Sequence, residues 1–240
     1  MFEVKIVAPT YATPFNQDLT LFYNIECDRA LVTFGGEYKL LATNEKEYIE
    51  FLGEHSYLYY SSLLFKQLGF IDNKEIVTFI IEVFNKIPSK FHTIAASSTG
   101  KHHPSQSNGI GGLVRHILAT LYFAKELFYA YDTPVEHRDI IIGALMLHDI
   151  GKAMDEPHDI VASTNLRWLA KKYDSQAINA LVEGVRWHMG RWATGSTDCN
   201  PLEVGQKFWP HSFTDIEQIV HLADYMASRK RVDLTRLGII

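Results

Sequence analysis

The stretch from Asp139 to Lys152 reads Asp-Ile-Ile-Ile-Gly-Ala-Leu-Met-Leu-His-Asp-Ile-Gly-Lys. An apolar run carries an imidazole and a carboxylate side by side, then stops at a glycine and a lysine. Ile141, Ala144 and Leu145 recur at helical spacing, and His148 falls next on that face. The histidine is therefore expected to point into a core, with Asp149 at its adjoining edge. A half-buried His-Asp pair is costly unless a partner satisfies it. A divalent metal does so, because imidazole and carboxylate both ligate first-row ions. Taken alone, such a dipeptide is more often a core histidine bonded to a carbonyl, beside a charge at a helix end.

Three further helices tilt that balance. Gly111-Gly112 opens a helix to about Tyr131, with Leu113, Ile117, Leu121, Ala124 and Leu127 as its apolar stripe and His116 beside the stripe. Thr133-Pro134-Val135-Glu136 is a start signal, with threonine expected as the cap, for the helix that ends in His148-Asp149. Gly151 suits a left-handed closing residue, which leaves Lys152 on the lip of any site. Asp174 is expected to cap a helix bearing Ile178, Leu181, Val182 and Val185, and His188 continues that face before Gly190 stops it. Thr214 to Glu217 is a second capping box, opening a helix that buries Ile216, Ile219, Val220, Ala223 and Ala227. Asp224 lies four residues after Val220 and so faces inward or nearly so, and Arg229, Lys230 and Arg231 close the helix. Four helices thus each bring an ionisable residue to a buried or bordering position, which is how helix bundles build metal sites.

The elements that hold these helices are plainer. Asn73 can cap a helix with Ile76, Phe79, Ile80, Val83 and Phe84, which Pro88 ends. Ala95 to Gly109 is a polar loop holding Lys101-His102-His103-Pro104, longer than an idle connection. His158 precedes a helix with Leu166, Leu169 and Ala170. Before residue 70, alternation over Phe2 to Ile6, Leu19 to Cys27, Ala30 to Phe34 and Glu37 to Thr43 predicts strands, with Gly35-Gly36 as a hairpin turn. Short helices are expected around Tyr48 to Leu52 and from Tyr57 to Leu68. The expected fold is mainly α: a helical bundle over residues 71–240, preceded by a small β-rich α+β module over residues 1–70. Nothing in that module carries recognisable chemistry, and it reads as a packing or substrate-gating appendage.

Composition narrows the function. Apolar residues make up 47% and charged residues 21%, as in an ordinary globular protein. A net charge of −5 gives no global positive field for long duplex nucleic acid. A nucleotide stays open as substrate, because a metal can supply positive charge locally. Cys27 and Cys199 show neither zinc spacing nor a disulfide framework. No basic region precedes an apolar core at the N-terminus, and no apolar run approaches the roughly 18 residues of a membrane span. A cytoplasmic setting without membrane association is expected.

The order His116, then His148-Asp149, then Asp224 resembles the HD superfamily of metal-dependent phosphohydrolases. The resemblance covers roughly Asn73 to Arg231. The phrase Gly111-Gly112-Leu-Val-Arg-His116, with Leu-His-Asp-Ile-Gly-Lys152 one helical hairpin later, is similar to the branch containing bacterial 3′-to-5′ exoribonucleases. It implies an HD-domain helical bundle and one or two divalent ions, with Mn or Fe favoured and Mg, Co, Ni or Zn open. By that resemblance His116, His148, Asp149 and Asp224 hold a first ion. Asp149 bridges to a second, held also by His188 and His211, for which His158 and His221 are substitutes. Asp149 and Lys152 are the catalytic candidates, the lysine neutralising charge on the phosphoryl group. Lys101, His102, His103, Arg115 and Arg191 are candidates for gripping phosphate, and Trp187 or Trp192 for stacking on a base.

The leading expectation is hydrolysis by metal-activated hydroxide of a phosphoester or phosphodiester in a nucleotide, cyclic nucleotide or short oligonucleotide. A 3′-to-5′ exonuclease on single-stranded RNA or DNA comes second. An HD-fold di-iron oxygenase and a non-enzymatic ligand sensor are the remaining alternatives, and a homo-oligomer is left open.

Overall fold

Alternating and 3.6-residue patterns meet near residue 70, and the backbone changes character there. The computed structural model describes residues 3–7, 20–24, 29–34, 37–40, 60, 63–97, 103–154, 158–193, 213–237 and 239, the strands by their backbone course. The chain divides into two compact units, Met1–Leu68 and Gly69–Ile240. In the first, strands β1 (Glu3–Val7), β2 (Thr20–Asn24), β3 (Arg29–Phe34) and β4 (Glu37–Leu40) pair in that order as an antiparallel meander. Phe34 pairs with Glu37 across Gly35-Gly36. Residues 63–67 are helical. The short helix expected at Tyr48 to Leu52 lies outside the described residues.

The second unit is helical: α1 (Lys74–Phe84), α2 (Gly112–Ala130), α3 (Val135–Leu147), α4 (His158–Ala170), α5 (Gln176–Trp187) and α6 (Asp215–Arg229). No helix among the described residues is long and apolar enough to cross a membrane. Asn73 caps α1, its side chain accepting from the backbone N–H of Glu75 and Ile76. The face it launches, Ile76, Phe79, Ile80, Val83 and Phe84, is buried. Each of these side chains contributes about 1.5–3 kcal/mol when removed from water.

Helix α3 is the axis of the unit. It packs against α1, α2, α5 and α6, and every residue from Asp139 to Leu147 is buried. A helix surrounded on all sides must be apolar all round, and the run Ile-Ile-Ile-Gly-Ala-Leu-Met-Leu is. Its one buried charge, Asp139, accepts from the backbone N–H of Asp72 and Asn73 at 3.1 and 2.8 Å, which ties the start of α1 to α3.

Three expected helix ends are corrected. Helix α3 is capped by Pro134 and not by Thr133, whose hydroxyl is buried without a hydrogen-bond partner among the described residues. Helix α5 is capped by Ser175, not Asp174. Gly151 is not left-handed: it lies in a 3-10 turn, Ile150–Ala153. The capping box of α6 forms in full, Thr214 accepting from the Glu217 N–H and Glu217 accepting from the Thr214 N–H.

Candidate metal centre

Two adjacent residues of a continuous helix point about 100° apart and do not face each other. His148 and Asp149 escape this because α3 ends between them. His148 keeps helical dihedrals as the last residue, while Asp149 turns out at φ −105°, ψ 13°. The turn brings the Asp149 Oδ2 to 3.3 Å from His148 Nε2. Both side chains are essentially fully buried.

Helix α2 supplies His116, and its start explains the double glycine. Gly111 sits at φ +69°, and a Cβ on Gly112 would strike the carbonyl of Ser107. The pair lets the preceding loop fold tightly against α2. Arg115 fastens that loop, donating to the carbonyls of Gln106, Asn108 and Ile110 at 2.6–2.8 Å. These three bonds hold its guanidinium against the loop.

Helix α2 packs on α6, and there His116 meets a carboxylate 108 residues away: Nε2 lies 3.0 Å from Asp224 Oδ1. His116 Nε2 is also 3.4 Å from His148 Nε2 and 3.6 Å from Asp149 Oδ2. His148 Nε2 is 3.7 Å from Asp224 Oδ1. Ligands each ~2.1 Å from one ion stand about 3.0 Å apart at a right angle and about 3.4 Å at the tetrahedral angle.

The donor chemistry fits a cation. The Nδ1–H of His148 donates to the Leu145 carbonyl at 2.7 Å, and that of His188 to the Val185 carbonyl at 2.6 Å. A carbonyl can only accept, so Nδ1 carries the proton and the neutral ring presents the Nε2 lone pair to the centre. Two imidazole nitrogens and two carboxylates converge, which is an excess of acceptors. One ammonium partly offsets it, Lys152 Nζ lying 2.6 Å from Asp149 Oδ2. His116, His148 and Asp149 form a buried three-ligand cluster by geometry alone.

Electrostatics follow the same arrangement. Burial pushes the His116 pKa down. Burial works the same way on His148, but the charges of Asp149 and Asp224 outweigh it and the pKa is raised. Burial alone would raise Asp224; the hydrogen bond from His116 and the neighbouring histidines hold its carboxyl well below the usual range.

His188 ends α5 as His148 ends α3, and its Nε2 lies 3.8 Å from Asp149 Oδ1. His103 stacks edge-on against the His116 ring at 4.7 Å, with Nε2 3.4 Å from Ser228 Oγ. Burial, then His116, lowers its pKa to about 3. His221 turns Nδ1 to the His188 carbonyl at 2.8 Å. Lys101, His102 and His211 lie outside the described residues, and for Arg191 and His158 the backbone alone is described. The carbonyls of Leu145 and Val185 are functional groups that residue type does not reveal. Their signal is positional: a histidine closing a helix can reach the carbonyl three residues back.

Residues 113–229 match the family model of the HD domain. No match to the chain was found among curated proteins or among solved structures. HD domains are in general metal-dependent phosphohydrolases. The matched segment holds His116, His148-Asp149 and Asp224 in order around one point, and residues 113–229 are an HD domain.

Proposed function

We propose that this protein hydrolyses a phosphoester or phosphodiester bond in a nucleotide, cyclic nucleotide or short oligonucleotide. The observation that carries this reading is the convergence of His116, His148, Asp149 and Asp224 side-chain atoms at separations of 3.0–3.7 Å. These four residues would hold one divalent ion, Mn or Fe by preference, with His188 and Asp149 contributing to a second. Such an ion lowers the pKa of water to roughly 7 and offers positive charge to a phosphoryl oxygen.

The chain's own groups do the rest. The Leu145 and Val185 carbonyls fix the tautomer and orientation of His148 and His188. The buried faces of α2 and α3 exclude water from behind the centre. Lys152, held by Asp149 with its side chain 19% exposed, carries a positive charge at the rim, where the phosphoryl group gathers negative charge. Two cysteines without disulfide spacing support a cytoplasmic setting.

The test is metal analysis of protein purified without chelator, with hydrolysis assays on nucleoside mono- and triphosphates, cyclic nucleotides and short RNA and DNA. His148→Ala and Asp149→Ala should lose both bound ion and hydrolysis while keeping helix content. Hydrolysis that persists in these variants overturns the reading. The 3′-to-5′ exonuclease is the second reading, supported by the Gly111 to His116 phrase and its spacing to His148. Binding to oligonucleotide that weakens steeply with salt favours it, since each phosphate contact adds to the slope.

A further inference from the structure

Most large apolar side chains of the helical unit are buried, yet one stacked aromatic pair beside the metal centre is not. Trp192 lies in the 3-10 turn after α5, and Tyr225 lies on α6. Their ring centroids are 5.9 Å apart and their planes differ by 6°. They are 45% and 41% exposed.

Two connections tie this pair to the centre. Tyr225 follows Asp224 directly in the chain. His221, one turn earlier on α6, binds the carbonyl of His188, and its ring lies 6.2 Å from Tyr225 and 6.3 Å from Trp192. Gly190 makes the approach possible. It sits at φ +56°, and a Cβ there would overlap the His221 ring. The turn can therefore press against α6 and deliver Trp192 to Tyr225. One turn beyond, Arg229 places its guanidinium 5.5 Å from the centre of the Tyr225 ring.

We propose that Trp192 and Tyr225 form a stacking platform for the base of a nucleotide whose phosphate lies at the metal centre. This rests on the phosphohydrolase reading above. A core role would bury the two rings, and they are exposed. Flat parallel rings next to a phosphate-handling centre suit a ligand that joins a planar heterocycle to a phosphate. Arg229 adds a cation at the same surface, as aromatic-lined nucleic-acid sites do. Every base has a π-face, so the platform selects nucleotides over other phosphate esters and shows little preference among bases.

The full chain loaded with Mn2+ is titrated with adenosine 5′-monophosphate and with ribose 5-phosphate, by equilibrium dialysis and by intrinsic tryptophan fluorescence. Adenosine 5′-monophosphate should bind about tenfold tighter or more. Trp192→Leu and Tyr225→Leu should each erase most of that advantage and leave ribose 5-phosphate affinity and ion content unchanged. Trp192→Phe and Tyr225→Phe should retain it. Equal affinity of the unaltered chain for the two ligands overturns the platform, as does a base-dependent advantage that survives both leucine variants. Cleavage is scored separately. A base-dependent affinity in a chain that cleaves no phosphoester keeps the platform and removes the phosphohydrolase reading. Cleavage of sugar phosphates as efficient as that of nucleotides removes the platform alone.

Discussion

Helices α3 and α5 end in the same way and arrive at different places. Each closes on a histidine whose Nδ1–H binds the carbonyl three residues back, at 2.7 Å for His148 and 2.6 Å for His188. Each therefore offers Nε2 inward. After His148 the chain turns at once into Asp149, and a second carboxylate, Asp224, stands 3.7 Å from the same nitrogen. After His188 come Met189 and Gly190, and the other oxygen of Asp149 lies 3.8 Å from its Nε2. One backbone device thus aims His148 Nε2 between two carboxylates and His188 Nε2 toward the far oxygen of Asp149. The residues next to the histidine, more than the histidine itself, set its role.

The largest expected difference is in metal content. His148→Ala should abolish bound ion and reduce hydrolysis to the uncatalysed background. His188→Ala should keep about one ion per chain and lower hydrolysis about 10- to 100-fold, the range seen when supporting groups of a metal site are removed. Plasma emission analysis with parallel kinetics reads both, and identical metal loss in the two variants would break the comparison.

Next comes thermal stability under metal. At about 100 times its Kd, a bound ion stabilises the folded chain by about 2.7 kcal/mol. Manganese should raise Tm in the unaltered chain and in His188→Ala, and leave His148→Ala where it was. A manganese-dependent Tm in His148→Ala would show an ion held elsewhere.

A third buried histidine sharpens the role of the acids. His92 packs beside Phe84 and Phe91, with no hydrogen-bond partner for Nδ1 among the described residues. Burial lowers its pKa to about 4, whereas the carboxylates raise that of His148. With the folded value below the unfolded value of about 6.5, only the unfolded chain takes up the proton between the two. The His92 contribution to stability is complete above about pH 6.5 and is lost as pH falls toward 4, by up to about 3 kcal/mol. Denaturant titrations at pH 7 and 4.5 should show that loss, and His92→Phe should reduce it.

The smallest effect is a control at the start of α6, ten residues before Asp224. Thr214→Ala removes the cap of α6 and should cost about 1 kcal/mol without altering bound metal. Loss of metal in this variant would mean that Asp224 depends on the far end of its helix.

Periodicity made the six helices legible, along with the residues that line their buried faces. The cap at Thr214 was legible because its partner lies three residues away. The caps of α3 and α5 were not, since Thr133 and Asp174 are as good on paper as Pro134 and Ser175, and packing chooses between neighbours. The loop contacts of Arg115 were not legible for a related reason: whether a guanidinium faces solvent or its own loop depends on a fold of the backbone that periodicity does not describe. The order of His116, His148-Asp149 and Asp224 was plain, but their distances were not. The turn that aims Asp149 back at His148 leaves no mark in residue type, and neither does the pairing of Trp192 with Tyr225.

His116 and Asp224 meet across 108 residues of chain. Contacts so distant in sequence form late, because a large loop must close before they reward it. A chain emerging from the ribosome holds His116, His148 and Asp149 well before α6 exists. Nascent and partly folded forms thus lack the Asp224 carboxylate beside this cluster, and it arrives only when α6 docks.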